Sequence, residues 1–471
     1  MSSEIEITEE LIVRQSPEAQ AIIRLLLAQI ARLSARVAEL EARLGQTPQN
    51  SSLPPSSQHP HAKPPQKKSK SQKQRGGQPG HPRHERPLVP TDECDEVRSL
   101  KPSECRRCGT KLRGNDPEPL RHQVWELPPI EPHVIEYQRH RLACPCCGET
   151  TCAELAAGVS TSTAGPRLTA LVALLMGCYR QSKRRTALFL STILRQPCST
   201  GWVVKLQNQA TDALRPAYDQ LVAQLPKEPV LSLDETPTKE GPAKSWLWTY
   251  VAKKFTLYAV RPSREASGVT DLLGESFPGV VHCDRARMYL SLQRLQWCWA
   301  HLKRDFQALV DQGDGQAKRL GYDLLRPTRE LFKHWANYRD GTISRAALQR
   351  RLAPVRRAVE RLLVRGIRSG NRTLVGTCRE LYEHRSWLWA FVREEGVEPT
   401  NNASERALRH AVIWRKLSFG TQSANGSRFV ETMLTVIETC RQQKRSVFDY
   451  LVEAIQARRA RRMSPSLVPG A

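Results

Sequence analysis

Three acidic residues of this 471-residue chain have the type and the context to hold metal ions for chemistry on a phosphodiester. Asp234 closes an apolar run at 230–233, and Asp284 closes a second one at 280–283. Glu405 opens a helical pattern much farther along the chain. Carboxylates at the ends of buried strands point out at the sheet edge, and three that converge can hold two Mg²⁺ or Mn²⁺ ions for in-line attack. We therefore expect Asp234, Asp284 and Glu405 to form one divalent-metal site.

The elements that must position these acids follow the strand order of a ribonuclease-H-like sheet. Three strand patterns, a helix, a strand, a helical piece and a last strand are predicted, with the named patterns at 229–233, 246–251, 255–260, 265–277, 280–283 and 295–299. In that order the acids after the first and fourth strands become neighbours. A long helical region at 301–395 then separates them from Glu405. Taken singly, an acid after a strand has the ordinary alternative of capping the next helix, so the hypothesis depends on their joint arrangement.

The charge of the chain favours a polyanionic partner. Lysine and arginine outnumber aspartate and glutamate by 72 to 47, giving a net charge of +25, and such an excess binds DNA through phosphate neutralisation. The alternative is a basic protein kept soluble by its charge. The N-terminus does not have the pattern of a secretory signal, and the longest apolar run, at 168–178, is too short to span a bilayer. We expect a cytoplasmic, nucleoid-associated protein whose 13 cysteines are thiols or metal ligands.

Two cysteine knuckles predict a zinc site. Cys105 and Cys108 form one CxxC-Gly motif, and Cys144 and Cys147 form another. The spacing lets both thiolates of a knuckle face one ion, so the four cysteines can hold a structural Zn²⁺. Strand-like alternation at 124–142 suggests a zinc-ribbon-like module. A redox pair and inert thiols are the alternatives, and further cysteines at 146 and 152 leave the choice of ligands open.

A helix with a regular apolar seam opens the chain. The seam residues alternate steps of three and four: Ile23, Leu26, Ile30, Leu33, Val37, Leu40 and Leu44. β-Branched residues at most a positions and leucine at every d position favour a parallel two-stranded coiled coil. The alternative is a stripe that packs on the chain's own core. Residues 46–90 follow, with ten prolines and eight lysines or arginines against one acid, and predict a flexible basic linker.

A helix, a break and a second helix with a polar face predict a helix-turn-helix-like region before the first strand. The first helix covers 184–194, and Ser199 or Thr200 caps the second. Val203, Leu206 and Ala210 should face inward, whereas Lys205, Gln207 and Asn208 should face outward. The candidate DNA contacts of this region are Arg184, Arg185, Lys205 and Asn208. Ordinary helical packing is the alternative.

The chain resembles the insertion-sequence-66 family of DDE transposases over nearly its whole length. The blocks that carry the resemblance come in order: 50–57, 77–81, the paired knuckles, Asp234-Glu235-Thr236, Trp246-Leu247-Trp248, Asp284 with Tyr289, 298–304, 401–409, 414–416 and 418–420. The resemblance implies that Asp234, Asp284 and Glu405 are the DDE triad, interrupted by a helical insertion. It also implies DNA cleavage at element ends and strand transfer into a target. One departure is Arg285-Ala286 after Asp284, where relatives usually have a small and an aromatic residue.

Further residues are expected to serve this site. Near Glu405 the candidate DNA contacts are Arg406, Arg409, Arg415 and Lys416, and Asn402 and His301 are the candidate supporting residues. The expected partners are transposon ends and target DNA, a second copy through the N-terminal coiled coil (a homodimer or higher oligomer), and other proteins encoded by the element, with no membrane. A catalytically inactive, transposase-derived DNA-binding regulator is the alternative function.

The expected fold is α/β, with a ribonuclease-H-like core and a large helical insertion. The predicted segments are a coiled-coil helix (1–45), a basic linker (46–90), a zinc-binding domain (91–155), a helix-turn-helix-like region (160–228), the first part of the core (229–310), the insertion (311–395), the second part of the core (396–455) and a frayed basic tail (456–471).

Overall fold

A computed structural model describes residues 9–44, 46, 50–51, 86–156, 159, 161–312 and 315–470. The chain divides into two compact units, one formed by Met1–His59 with Val134–Ala471 and the other by Pro60–His133. Most of the predicted linker at 46–90 lies outside the described residues. Within the described residues, no helix combines the length and the apolar character needed to cross a membrane.

A mixed five-stranded sheet forms the centre of the larger unit. Its strands are β3 (Val230–Glu240), β4 (Ala243–Val251), β5 (Thr256–Arg261), β6 (Val280–Cys283) and β7 (Leu295–Trp297). The order across the sheet is β5-β4-β3-β6-β7. The first three strands are antiparallel neighbours, whereas β6 lies parallel to both β3 and β7. The chain is therefore a mixed α/β protein, with its parallel strands buried as their apolar sequences require.

The first strand is longer than the sequence predicts. The prediction ended it at 233, but β3 continues through Asp234 to Glu240, paired with β4 as far as Glu240 opposite Ala243. Asp234 therefore lies inside a strand rather than after one. It nevertheless stands where the parallel pairing with β6 stops, because β6 ends at Cys283. The carboxylate still emerges at the open end of the parallel part of the sheet.

Helices come before, between and after the strands along the chain. Before β3 they are α3 (Pro166–Gly177), α4 (Lys183–Ile193) and α5 (Thr200–Gln224); between strands there is α6 (Ser267–Leu273); after the sheet come α7 (Trp299–Gln312), α8 (Gly315–Arg339), α9 (Arg345–Ile367), α10 (Arg372–Glu383), α11 (Ala390–Arg393), α12 (Asn402–Ser418), α13 (Ala424–Gln442) and α14 (Val447–Arg459). The helices α8 to α11 form the predicted insertion between the last strand and Glu405. Their apolar faces join the same core as the sheet.

The predicted helix pair before the sheet is present, with one residue misassigned. Ser199 caps α5, its hydroxyl accepting a hydrogen bond from the Trp202 N–H at 3.1 Å. Val203, Leu206 and Ala210 are buried, as expected, but Gln207 is buried as well rather than outward-facing. The reason is that α5 packs against α3, α13 and α14 as well as α4, so that more than one of its faces is covered.

The N-terminal segment contains α1 (Glu9–Val13) and one long helix, α2 (Pro17–Leu44). The seam side chains of α2 that are described are largely exposed in the single chain; they include Leu26 (54%), Ile30 (58%), Leu33 (63%) and Val37 (53%). The alternative of a stripe packed on the chain's own core therefore does not describe this helix.

Two expectations about irregular regions are wrong. Of residues 124–142, expected to be strand-like, only the last two lie in a strand; within the described segment 86–156 the short strands are β1 (Arg141–Ala143) and β2 (Thr150–Cys152). The apolar side chains of this alternating pattern, such as Val124 and Val134, are exposed, so no core holds the pattern in a sheet. The C-terminal tail is not frayed either: Leu467 is buried, and the Tyr450 hydroxyl donates to the Pro465 carbonyl at 2.8 Å.

Candidate active site

Asp234 lies on β3, and Asp284 directly follows β6, the parallel neighbour of β3. Val230 is opposite Val280 and Ser232 is opposite His282 in the β3–β6 register. Asp234 and Asp284 each come two residues after this last pair, and paired strands lie about 4.8 Å apart, so the two aspartates leave the same end of the parallel ladder. Each carboxylate accepts a local backbone hydrogen bond, Asp234 from the Glu235 N–H at 2.9 Å and Asp284 from the Ala286 N–H at 2.8 Å. These bonds fix the direction of both side chains.

A buried polar clamp brings the helix of Glu405 to the same place. The Asn401 side-chain amide donates to the Leu233 carbonyl at 2.9 Å, one residue before Asp234. The Ser404 hydroxyl, one residue before Glu405, donates to Asn401 Oδ1 at 2.6 Å. Ser232 Oγ donates to the same oxygen at 2.5 Å. The start of α12 is therefore bonded to β3, which closes the gap left by the insertion.

Basic and sulfur-containing side chains surround Glu405. Its Oε1 atom lies 3.8 Å from His301 Nε2 and 3.6 Å from Arg304 Nη2. Cys298 joins this group, since the ligand atoms of Cys298, His301 and Glu405 all lie within 4.8 Å of one another. Cys298 Sγ also accepts a hydrogen bond from the Asn401 N–H at 3.2 Å. The predicted supporting residue His301 is thus beside Glu405, whereas the other one, Asn402, is exposed.

Neighbouring acids act on the Asp234 carboxyl. Burial raises the pKa of the Asp234 carboxyl well above its usual range, and the charges of Glu235, Asp284 and Glu405 raise this pKa further. Glu405 Oε1 is buried without a hydrogen-bond partner among the residues that the structure describes. A buried carboxyl surrounded by other acids, beside a carboxylate oxygen that accepts no hydrogen bond from the described residues, is suited to a divalent cation.

Glu235 is a functional candidate that sequence reasoning missed. Its side chain is 3% exposed, forms an ion pair with Arg264 at 2.6 Å and accepts a hydrogen bond from the Tyr289 hydroxyl at 2.5 Å. Burial raises the pKa of the Glu235 carboxyl, and the charge of Asp284 adds to the effect. The signal was present in the sequence as a second acid directly after Asp234, but only the fold brings Arg264 and Tyr289 to it.

Arg285 departs from the resemblance and has a defined place. It donates to Asp305 on α7 at 2.7 Å and to Glu380 on α10 at 3.0 Å. Arg285 and Asp305 line a pocket of about 240 Å³ together with Asp284, Ala286 and His301. Arg285 therefore ties the end of β6 to the helical insertion rather than pointing freely at a ligand.

The predicted DNA contacts divide into exposed and half-buried residues. The exposed ones are Arg184, Arg185, Lys205, Arg406, Arg409 and Lys416. Asn208 is half-buried. Arg415 is half-buried too and donates to the Pro237 carbonyl at 2.9 Å, so it supports β3.

The two knuckles share one local structure. In the first, the Gly109 N–H donates to the Cys105 carbonyl at 2.9 Å; in the second, the Gly148 N–H donates to the Cys144 carbonyl at 2.9 Å. Both glycines have positive φ, 71° and 74°, which suits glycine at these turns. Bonding from Thr110 and from Cys105 lowers the pKa of Cys108, and bonding from Cys147 and the Cys146 N–H lowers the pKa of Cys144. One thiol of each knuckle, Cys108 in the first and Cys144 in the second, therefore loses its proton more readily than a free thiol does.

Comparison with known protein families assigns the chain to a class of transposases. The family model described as "Transposase IS66 family" matches residues 161–428, more than half of the chain, and the chain belongs to this family. A model for the "zinc-finger binding domain of transposase IS66" matches residues 102–148, and a "Family of unknown function (DUF6444)" matches residues 9–87. The resemblance drawn from the sequence blocks is confirmed.

A curated relative is similar over part of the chain. It is "Uncharacterized protein y4qI" of Sinorhizobium fredii (strain NBRC 101917 / NGR234), 27% identical over 239 residues. The match covers 45% of this chain and 43% of the relative, so the chain spans less than half the length of that protein.

Proposed function

We propose that this chain cleaves DNA strands at insertion-sequence ends and transfers them into target DNA by a DDE two-metal mechanism on a ribonuclease-H-like core. The catalytic residues are Asp234, Asp284 and Glu405. The observation that carries the proposal is the bonding of Asn401 and Ser404 to β3. It joins the helix of Glu405 to the strand of Asp234, although 171 positions separate the two acids in the sequence. The strand order β5-β4-β3-β6-β7 supports the ribonuclease-H-like core.

The donor set fits Mg²⁺ or Mn²⁺. Carboxylate oxygens are the ligands that such hard cations take, and Glu405 Oε1 lacks a hydrogen-bond partner among the described residues. The raised pKa of Asp234 follows from burial and from the neighbouring charges, and a bound cation would offset both effects. Two ions held by the three carboxylates would activate the attacking oxygen and stabilise charge on the phosphate that is attacked.

The protein's own side chains then have defined tasks. The three carboxylates act as ligands rather than as acid and base, so their loss should remove the chemistry and leave DNA binding intact. Arg304 and His301 hold Glu405 in position from the α7 side. The exposed Arg406 and Arg409, on the same helix as Glu405, hold phosphates of the DNA next to the site.

The N-terminal parts serve assembly and DNA holding. The four cysteines Cys105, Cys108, Cys144 and Cys147 ligate a structural Zn²⁺, in line with the match to a zinc-finger domain. The exposed seam of α2 pairs with the same seam of a second copy, giving a dimer that can hold two element ends. Arg184, Arg185 and Lys205 add exposed contacts for the DNA backbone.

Strand cleavage by matched variants tests the proposal. The full chain is incubated with labelled duplexes from both flanks of its gene and Mg²⁺, and nicked or cut strands are counted. Asp234→Asn should cut no strand while binding DNA like the natural protein. Asp212→Asn, the same change at an exposed acid of α5, should cut normally. Cleavage by Asp234→Asn at the natural rate would refute the catalytic assignment and favour a non-catalytic DNA-binding role.

A further inference from the structure

The helical insertion carries a one-sided arginine helix that the active site does not use. Helix α9 contains seven arginines and a single acid, Glu360, and an eighth arginine, Arg368, follows at its C-cap. Glu360 already pairs with Arg356 at 2.8 Å, and Asp323 of α8 pairs with Arg365. Both acids are thus paired with Arg356 or Arg365, which are not among the four arginines considered next.

Four of these arginines lie along one line of the helix. At about 100° per residue, Arg350, Arg357, Arg361 and Arg368 fall within about 20° of a common line, which we call the arginine stripe. All four are exposed. The stripe is about 27 Å long at 1.5 Å per residue.

The opposite face of α9 is the packed one. Its buried residues are Leu348, Leu352, Val355, Val359, Leu363 and Gly366, which lie within about 40° of the direction opposite the stripe. This face packs on α8 and α10. The core therefore fixes the rotation of α9 about its axis, and with it the outward direction of the stripe.

A basic pocket opens at the C-terminal end of the stripe. It has a volume of about 520 Å³ and is lined by Arg361 and Arg365 of α9, by Arg368 at the C-cap and by Arg319 of α8, together with one acid, Asp323. Excess cationic charge around a cavity favours an oxyanion, and guanidinium groups match phosphate oxygens in two-pronged hydrogen bonds.

We propose that the arginine stripe is a binding site for the phosphate backbone of duplex DNA. A 27 Å line runs beside roughly eight base pairs, so each of its four arginines can reach a phosphate. The Arg285–Glu380 contact joins α10 of the insertion to the residue after Asp284. DNA held by the insertion is thereby held relative to the active site. The inference rests on the proposed function for the identity of its ligand.

The salt dependence of DNA binding tests the stripe. The full chain is titrated with a duplex longer than the stripe, in EDTA and at several salt concentrations. Changing Arg350, Arg357, Arg361 and Arg368 together to Gln should lower the slope of log K against log salt by about 3 to 4, since each lost phosphate contact removes about 0.9. The matched control changes four other exposed arginines of the insertion, Arg326, Arg329, Arg351 and Arg372, and should lower it by less than about 1.

The outcomes separate this inference from the proposed function. Equal slopes for the stripe and control variants, with unchanged thermal unfolding, would overturn the stripe, whatever the cleavage assay shows. If the natural protein does not cut DNA with Mg²⁺, and the slope of log K against log salt falls only in the stripe variant, the stripe is upheld and the catalytic proposal is refuted. The stripe proposal would also be overturned if the four substitutions lowered the salt slope only for single-stranded DNA, or only for an acidic protein ligand.

Discussion

Removal of the Asn401 side chain should separate Glu405 from the strand of Asp234. Asn401 is 1% exposed and takes part in three side-chain hydrogen bonds, with the Leu233 carbonyl, the Ser232 hydroxyl and the Ser404 hydroxyl. Its neighbour Asn402 is exposed and belongs to the same first turn of α12. Asn401→Ala and Asn402→Ala are therefore a matched pair that differs in burial and bonding.

The expected loss follows from the three bonds. Each net hydrogen bond contributes about 1 kcal/mol, so Asn401→Ala should lower the free energy of unfolding by about 3 kcal/mol. The loss stays near this value because Ser232 and Ser404 keep a bond to each other at 3.1 Å. At about 2 °C per kcal/mol for a large domain, Tm should fall by about 6 °C. Asn402→Ala should change the free energy by no more than about 0.5 kcal/mol.

Cleavage gives the second measurement on this pair. A displacement of about 1 Å in a catalytic group can lower a rate about 100-fold, so Asn401→Ala should cut DNA about 100-fold more slowly at a temperature where it is still folded. Asn402→Ala should cut within about threefold of the natural rate. If the two variants unfold at the same temperature and cut equally fast, the clamp does not position Glu405 and the reasoning is refuted.

Three other predictions concern the acids, the zinc and the dimer. The folded protein holds the Asp234 proton more tightly than the unfolded chain does, so the metal-free protein should gain stability as the pH falls through the raised pKa. At pH 8 in EDTA, Asp234→Asn should therefore be more stable than the natural protein by about 1–2 kcal/mol. Lower stability of this variant in calorimetry would contradict the prediction. Zinc analysis of the purified protein should find one ion per chain, lost in Cys105→Ser and kept in Cys198→Ser, and equal content in both variants would exclude the proposed ligand. In sedimentation, Leu33→Asp in the α2 seam should give a monomer while Ala35→Asp on the outer side remains a dimer; identical behaviour of the two would rule out this interface.

The sequence predicted those parts of the site that depend on local pattern. Apolar runs before Asp234 and Asp284 indicated two buried strands, and parallel pairing of adjacent strands accounts for their closeness. The extension of β3 to Glu240 was not predicted, because Pro237 and the polar residues around it are poor signals for a strand. Pro237 is tolerated because it lies beyond the end of β6, where its missing N–H takes nothing from the parallel ladder.

Contacts between distant segments were beyond sequence reasoning. The bond from Asn401 to the Leu233 carbonyl spans 168 positions, and no local pattern specifies such a partner. The hydroxyl of Ser232 within the otherwise apolar run 230–233 was the available signal for a buried polar contact. Alternation at 124–140 misled for the opposite reason, since a pattern of period two forms a strand only when a neighbouring strand and a core accept it.

Anomalous X-ray scattering from Mn²⁺ tests the central claim most directly. Crystals of the full chain with a duplex of the element end and Mn²⁺ should show two peaks about 3.5–4 Å apart. Asp234, Asp284 and Glu405 should all contact at least one of the two ions. Peaks that Glu405 does not touch, or ions bound away from the ends of β3 and β6, would contradict the two-metal site.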